Sequence, residues 1–263
     1  MERGERPGAL PLGCALEAGD GRLTLRFPAP WRALASTVLG GGYGRRRGAV
    51  WLRVPLDYAV SDAGADARAR LRAGVGCLPG GQTGGPWAAF LTAVDLRGVA
   101  WCAGGPDGRR VLAVATAGAG NASTAGLTVP PAAEGPSAGT VCVAAVVETS
   151  LSAAGLANAF QTLTEARVRA FLDVGVRTRD GAPAFGTSTD AAVVASVGVG
   201  RQTHYAGSAT QIGYWLARCV HDAVLLALAR NARRCRGIRG TGGGDAAGIS
   251  AHPLRVSVSP CGG

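Results

Sequence analysis

The stretch FGTSTDAAVVASVG, Phe185 to Gly198, is a turn of small and hydroxyl-bearing residues that runs into a hydrophobic strand. Gly186 permits close backbone approach, and Thr187, Ser188, Thr189 and Asp190 bring three hydroxyls and a carboxylate to the mouth of that strand. Upstream, LTEARVRAFLDVGV (Leu163 to Val176) reads as a helix, so the two segments form a helix, turn, strand unit. Before them TVCVAAVVE (Thr140 to Glu148) is apolar on both faces, which predicts a strand in the middle of a sheet.

The helix between these strands is expected to start at Ser152, a good N-cap, and to bury Leu156, Phe160, Leu163, Ala166 and Ala170. A second stripe, Asn158, Thr162, Glu165 and Arg169, is polar and borders the core. After the AAVVASVGV strand a second long helix is predicted from about Ser208 to Arg230, with Ile212, Leu216, Cys219, Ala223 and Leu226 inward. Earlier in the chain, RLTLRF (Arg22 to Phe27) and AVWLRVPLDY (Ala49 to Tyr58) alternate as half-buried strands, with GGGYGRRRG read as the loop between them. A charged helical segment (Asp62 to Arg72), a glycine-rich loop (Gly80 to Gly85) and three more strands in AAFLTAVDL, GVAWCA and RRVLAVATAG follow. The domain organisation is a flexible N-terminal segment over residues 1–20, a folded body over 21–231 and a Gly/Arg-rich C-terminal tail over 232–263, in which Leu254 to Val258 suits an edge strand.

A formal charge of +10 invites a nucleic-acid reading, yet every cation is Arg and none is Lys. Ile and Asn are scarce as well, a pattern that GC-rich codons explain without any polyanionic partner. Aromatic residues at 5% are too few for a base-stacking platform, so no nucleic-acid partner is expected; a binder using Arg45 to Arg47 and the tail is the rival reading. Seven scattered cysteines with no CxxC pair are neither a disulfide framework nor a zinc site. With no signal peptide and no run near the roughly 20 apolar residues of a membrane span, the chain is expected to be cytoplasmic with no membrane partner.

Amide hydrolysis needs an activated water and donors for an oxyanion, and a carboxylate beside a hydroxyl-rich turn can supply both. Asp190 and Glu165 are the candidate catalytic acids, with Thr187, Ser188 and Thr189 as candidate substrate contacts. Asp190 can equally satisfy local backbone donors, and Glu165 can pair with Arg169 one helical turn on. Asn121, closing the strand in TAGAGN, suits a substrate-facing loop or a plain turn. His204, in a polar loop next to Tyr205, is the histidine suited to a site; His221 beside Asp222 reads as structural and His252 lies in the tail. No histidine spacing seats a metal, and no GxSxG, HExxH or P-loop occurs.

Taken in order, GGG (Gly40 to Gly42), VWLRVPLDY, FLTAVD, VATAGAGN, GTVCVAAVV, LTEARVRAFLDVGV, FGTSTDAAVVA and YAGSATQIGYWLARCVHDAVLLAL resemble the adenosylcobinamide amidohydrolase family of corrinoid salvage. The resemblance implies hydrolysis of the amide joining the aminopropanol arm to the corrin ring, giving adenosylcobyric acid. It implies Asn121, Glu165, Thr187, Thr189, Asp190, Tyr205, Gly207 and Thr210 as site positions. The corrinoid is then the partner, as substrate; no cofactor and no metal are expected, and homo-oligomerisation is left open. Val141 and Cys142 after the GT, Arg167 after TEA and the SATQIG loop depart from the family pattern and bear on substrate preference. A corrinoid-binding protein without catalysis is the alternative.

The element order predicts an α+β fold, a mixed and largely antiparallel sheet covered by two long helices, with Val141 to Val199 as a βαβ crossover. A weaker likeness of this unit to four-layer αββα aminopeptidases and ornithine acyltransferases makes an αββα layering a further expectation.

Overall fold

A computed structural model describes residues 2–4, 8–19, 21–58, 65–78, 87–105, 110–129 and 139–239, the side chains among them from residue 9 to 234. The strand apolar on both faces is β10 (Val141–Leu151) once its predecessors are numbered along the chain. These are β1 (Glu2–Gly4), β2 (Gly8–Ala9), β3 (Ala15–Gly19), β4 (Arg22–Ala35), β5 (Gly42–Arg53), β6 (Trp87–Thr92), β7 (Ala100–Gly104), β8 (Val111–Ala117) and β9 (Ala122–Ser123). A short helix α1 (Ala65–Gly76) precedes β6, and α2 (Ala153–Asp173), β11 (Gly186–Thr187), β12 (Ala191–Thr203) and α3 (Gln211–Arg239) complete the fold. As its composition predicts, β10 lies mid-sheet, antiparallel to β8 and parallel to β12. The parallel pair is the expected crossover, with α2 between its strands.

Side-chain alternation along the strands divides the interior into three cores. Val194 of β12 and Val143 of β10 face α2 and α3, burying Leu156, Leu163, Phe171, Leu216 and Ala223. Their neighbours Val193 and Ala144 face the other way, into a core shared with Leu23 and Leu25 of β4, Trp51 of β5 and Phe90 of β6. The rings of Trp51 and Phe90 pack at 5.0 Å between centroids. On the far side of β5 and β6, Val50 and Ala89 meet Leu71 and Val75 of α1. One continuous ten-stranded sheet therefore folds over on itself, joined where β12 meets β4. The layers run helices, sheet, sheet, helix, which is the expected α+β architecture in its layered form. Among the described residues, parallel pairing is confined to β10–β12 and β5–β6.

Helix α2 begins where Ser152 caps it by accepting from the Gly155 N–H at 3.1 Å. It ends at Gly175, whose φ of +66° lets the chain turn while Val176 N–H returns to Phe171 O. Helix α3 packs on β8, β7 and α2 and runs past the predicted end at Arg230 to Arg239. Its Gln211–Arg234 portion is long and apolar enough to cross a membrane by length and composition, and half of that window is buried inside the fold.

Two sequence readings are corrected. Residues 1–20 do not lack structure throughout: β1 pairs with β7, β2 and β3 form a hairpin continuing to β4, and Leu10, Cys14 and Leu16 are buried. Sparse apolar residues suffice there because the sheet supplies the partner. GGGYGRRRG is not a loop, since β5 begins at Gly42 and pairs with β4 from Ala35 back to Arg22. Arg46 within it is buried and donates to the carbonyls of Gly40 (2.7 Å), Gly41 (3.0 Å) and Arg45 (2.8 Å), with burial lowering its pKa. A run of arginines thus hides one guanidinium that ties down a glycine turn. The Gly80 to Gly85 loop, the first residues of the charged segment and the tail from residue 240 lie outside the described residues.

Candidate active site

The GTSTDA turn folds against the loop that follows β8. Gly186 and Thr187 pair as β11 with Ser123 and Ala122 of β9, which sets the turn beside Asn121. Asp190 then points inward, with only 7% of its side chain exposed. Its Oδ1 accepts from Val141 N–H (2.9 Å) and from the Thr187 hydroxyl. Its Oδ2 accepts from Thr187 N–H (2.9 Å) and pairs with Arg167 Nη1 at 2.9 Å. A carboxylate has about four acceptor positions, and here all four are in use. A buried carboxylate held by backbone N–H groups and a guanidinium is well compensated for its loss of water. Gly186 is required by this packing: a Cβ there would lie 2.3 Å from Asp190 Oδ2 and 3.3 Å from the Arg167 guanidinium.

At the exposed rim of the same turn, Asn121 Nδ2 donates to Ser188 Oγ at 2.9 Å and, at 3.4 Å, to Thr189 Oγ1. Thr189 donates to Gly139 O (3.0 Å), and Thr140 Oγ1 donates to Thr189 O (2.8 Å). Ser188 accepts from Asn121 and so keeps its own proton for another partner. Gly139, at φ +153°, leaves room for Asn121, whose Oδ1 would stand 2.5 Å from an added Cβ. The structure thus brings together Asn121, Thr187, Ser188, Thr189 and Asp190 from segments far apart in the chain. Cys142 lies just inside them, but burial pushes its thiol up to about 12, so it stays neutral and offers no thiolate.

The remaining candidates stand elsewhere. His204 Nδ1 meets Ser152 Oγ at 2.9 Å, at the opposite end of β10 from Val141 and Asp190. Eleven residues of strand separate these ends, roughly 35 Å at the usual rise. Tyr205 is 72% exposed beside His204. Thr210 accepts from Gly213 N–H (3.0 Å) and donates to Gly207 O (2.8 Å), which makes it the cap of α3. Asn158 and Thr162 on α2 hold the intervening loop through the N–H and C=O of Ala206.

Glu165 and Asp190 make no contact with each other among the described residues. Helical residues two apart diverge by about 200°, and Arg167 is the residue turned toward Asp190. Glu165 is exposed and makes no hydrogen bond or ion pair among the described residues. Its presumed partner Arg169 pairs with Asp173 (3.5 Å), which in turn bonds His221 Nε2 (2.8 Å). His221 also meets Asp222 and ties α2 to α3, the structural role its sequence position suggests. Among the described residues no three of His, Cys, Asp and Glu gather in a metal-binding group. Sequence reasoning missed the grip of Arg167 on Asp190 and the contribution of Gly139 and Thr140. Alternation of charge on α2 is no guide to which cation reaches across to the sheet.

The motifs that shape this geometry also fix the relationship of the chain to known proteins. No curated protein matches the chain. A family model described as adenosylcobinamide amidohydrolase matches residues 16–236, spanning both ends of β10 and nearly all of the described fold. The chain therefore belongs to the adenosylcobinamide amidohydrolase family.

Proposed function

We propose that this protein hydrolyses the amide between the aminopropanol arm and the corrin ring of adenosylcobinamide, releasing adenosylcobyric acid and aminopropanol in corrinoid salvage. Family membership supports the substrate class, and the turn from Gly186 to Asp190 is the place where the chemistry is best supported. The observation that carries this is the hydroxyl of Thr187 held on Asp190, itself anchored by Arg167. Of the four donors on Asp190, three are backbone or guanidinium groups fixed by the fold. The Thr187 hydroxyl is the one that can both accept a proton from water and pass its own proton to Oδ1.

In this reading water attacks the amide carbon while its proton moves to the Thr187 oxygen and the Thr187 proton moves to Asp190. The oxyanion accepts from the Ser188 hydroxyl, which Asn121 orients. As the C–N bond breaks, the proton returns from the Thr187–Asp190 pair to the departing amine. Glu165 takes no part in the step.

Incubation of the pure protein with adenosylcobinamide, read by mass for cobyric acid and for free aminopropanol, tests the reaction. Thr187→Val and Asp190→Asn are each expected to lower turnover by about 10²–10⁴. Wild-type turnover in both would remove the assignment while leaving the reaction standing. The saturated carboxylate of Asp190 favours one second reading, a corrinoid-binding protein without catalysis. Retention of adenosylcobinamide with no aminopropanol released decides for it.

A further inference from the structure

A cavity of about 620 Å³ opens between the start of β4, the turn at Leu96–Gly98 and the last described turns of α3. Five arginines line it, Arg22, Arg97, Arg230, Arg233 and Arg234. The negative pole of α3 lies at Arg239, more than a turn beyond Arg230, Arg233 and Arg234. It accounts neither for these nor for Arg22, which comes from β4, nor for Arg97, which comes from the turn after β6. Arg97 and Arg234 share Asp95, at 2.6 and 3.8 Å. Arg230 donates to Val99 O, and Arg234 also donates to Arg97 O (3.2 Å), so these two guanidinium groups are fixed by the backbone. Arg22 and Arg233 contact no carboxylate among the described residues, Arg22 reaching only Gly74 O at 3.5 Å.

Between the charged groups the wall is apolar, with Leu96, Val99 and Leu226. The volume falls within the roughly 300–1,000 Å³ of small-molecule sites. Guanidinium groups presented from separate elements around an apolar floor suit a ligand with several phosphate oxygens and an organic body. We propose that this cavity is a binding site for a small organic polyphosphate, separate from the Asp190 turn and independent of the reaction assigned there. The cavity adjoins the α3 turn that carries Asn231, whose Nδ2 would stand 3.2 Å from a Cβ on Gly118, at the root of the Asn121 loop.

Adenosine triphosphate, titrated into the full chain by calorimetry at moderate salt, is the probe. The expected result is saturable one-to-one binding below about millimolar ligand and a rise in Tm. The double variant Arg22→Gln/Arg233→Gln is expected to weaken it by about tenfold or more, and Arg233→Gln alone, on an exposed side chain, by a smaller factor. Arg45→Gln/Arg47→Gln, which removes two exposed charges from β5, should leave it unchanged. No saturation with triphosphate, equal binding by the wild type and the Arg22/Arg233 variant, or equal loss in the β5 variant overturns the site. Binding of an oligonucleotide without binding of the triphosphate also overturns it, and assigns the charge to a nucleic-acid surface.

Discussion

The two ends of β10 are built from similar residue types and do different things. At the Val141 end, a carboxylate, a guanidinium and the Thr187 hydroxyl are folded inward beneath a rim of Ser188, Thr189 and Asn121, and two glycines leave the space they occupy. At the Leu151 end, Ser152 and Thr210 cap helices while His204 and Tyr205 stand exposed beside them. The difference lies in where the donors come from. Asp190 is satisfied by groups from β10, α2 and its own turn, so it ties three elements together. Ser152 and Thr210 each serve one helix start.

The largest effect is therefore expected at the first end. Asp190→Ala strands the Arg167 guanidinium and two backbone N–H groups in the interior. It should cost about 3–5 kcal/mol of stability, read as a shift in denaturation midpoint, together with loss of turnover. A cost below that of a cap would show that the network is not the clamp it is described to be. Next comes Gly186→Ala, whose Cβ would press on Asp190 Oδ2 from 2.3 Å. Overpacking of about 1–3 kcal/mol is expected, and turnover should fall further than stability explains because the carboxylate must move. The second end should answer more mildly. Ser152→Ala removes one cap, worth about 1 kcal/mol, and should leave the turnover of the folded protein as it was.

The same contrast explains what the sequence discloses. The strand apolar on both faces, the cap at Ser152 and the buried stripe of α2 are local signals, and each lands where its period or residue type says. The fold class follows from their order. Which end of a strand a loop occupies is also local, yet Tyr205 and Thr210 join Asp190 on family-like motifs, and His204 on the polarity of its loop, neither of which carries a distance. The partner of Arg167 is illegible for a related reason: a cation in a helix gives no sign of what it reaches, and Asp190 stands 23 positions further on. GGGYGRRRG failed differently. Glycine and arginine have little strand preference of their own, and pairing with β4, not propensity, makes that segment a strand.

The smallest predicted effect tests how far the Val141 end extends around α2. Glu165 belongs to the TEA motif and was a candidate acid, but it leaves α2 on the side away from Arg167 and is exposed. Glu165→Gln should change stability by no more than about 0.5 kcal/mol and leave turnover of adenosylcobinamide unaltered. If turnover instead collapses while the denaturation midpoint holds, Glu165 reaches the substrate from its own side of α2. The corrinoid would then have to bridge that side of α2 and the Asp190 turn, so that one large site wraps the helix at the Val141 end of β10.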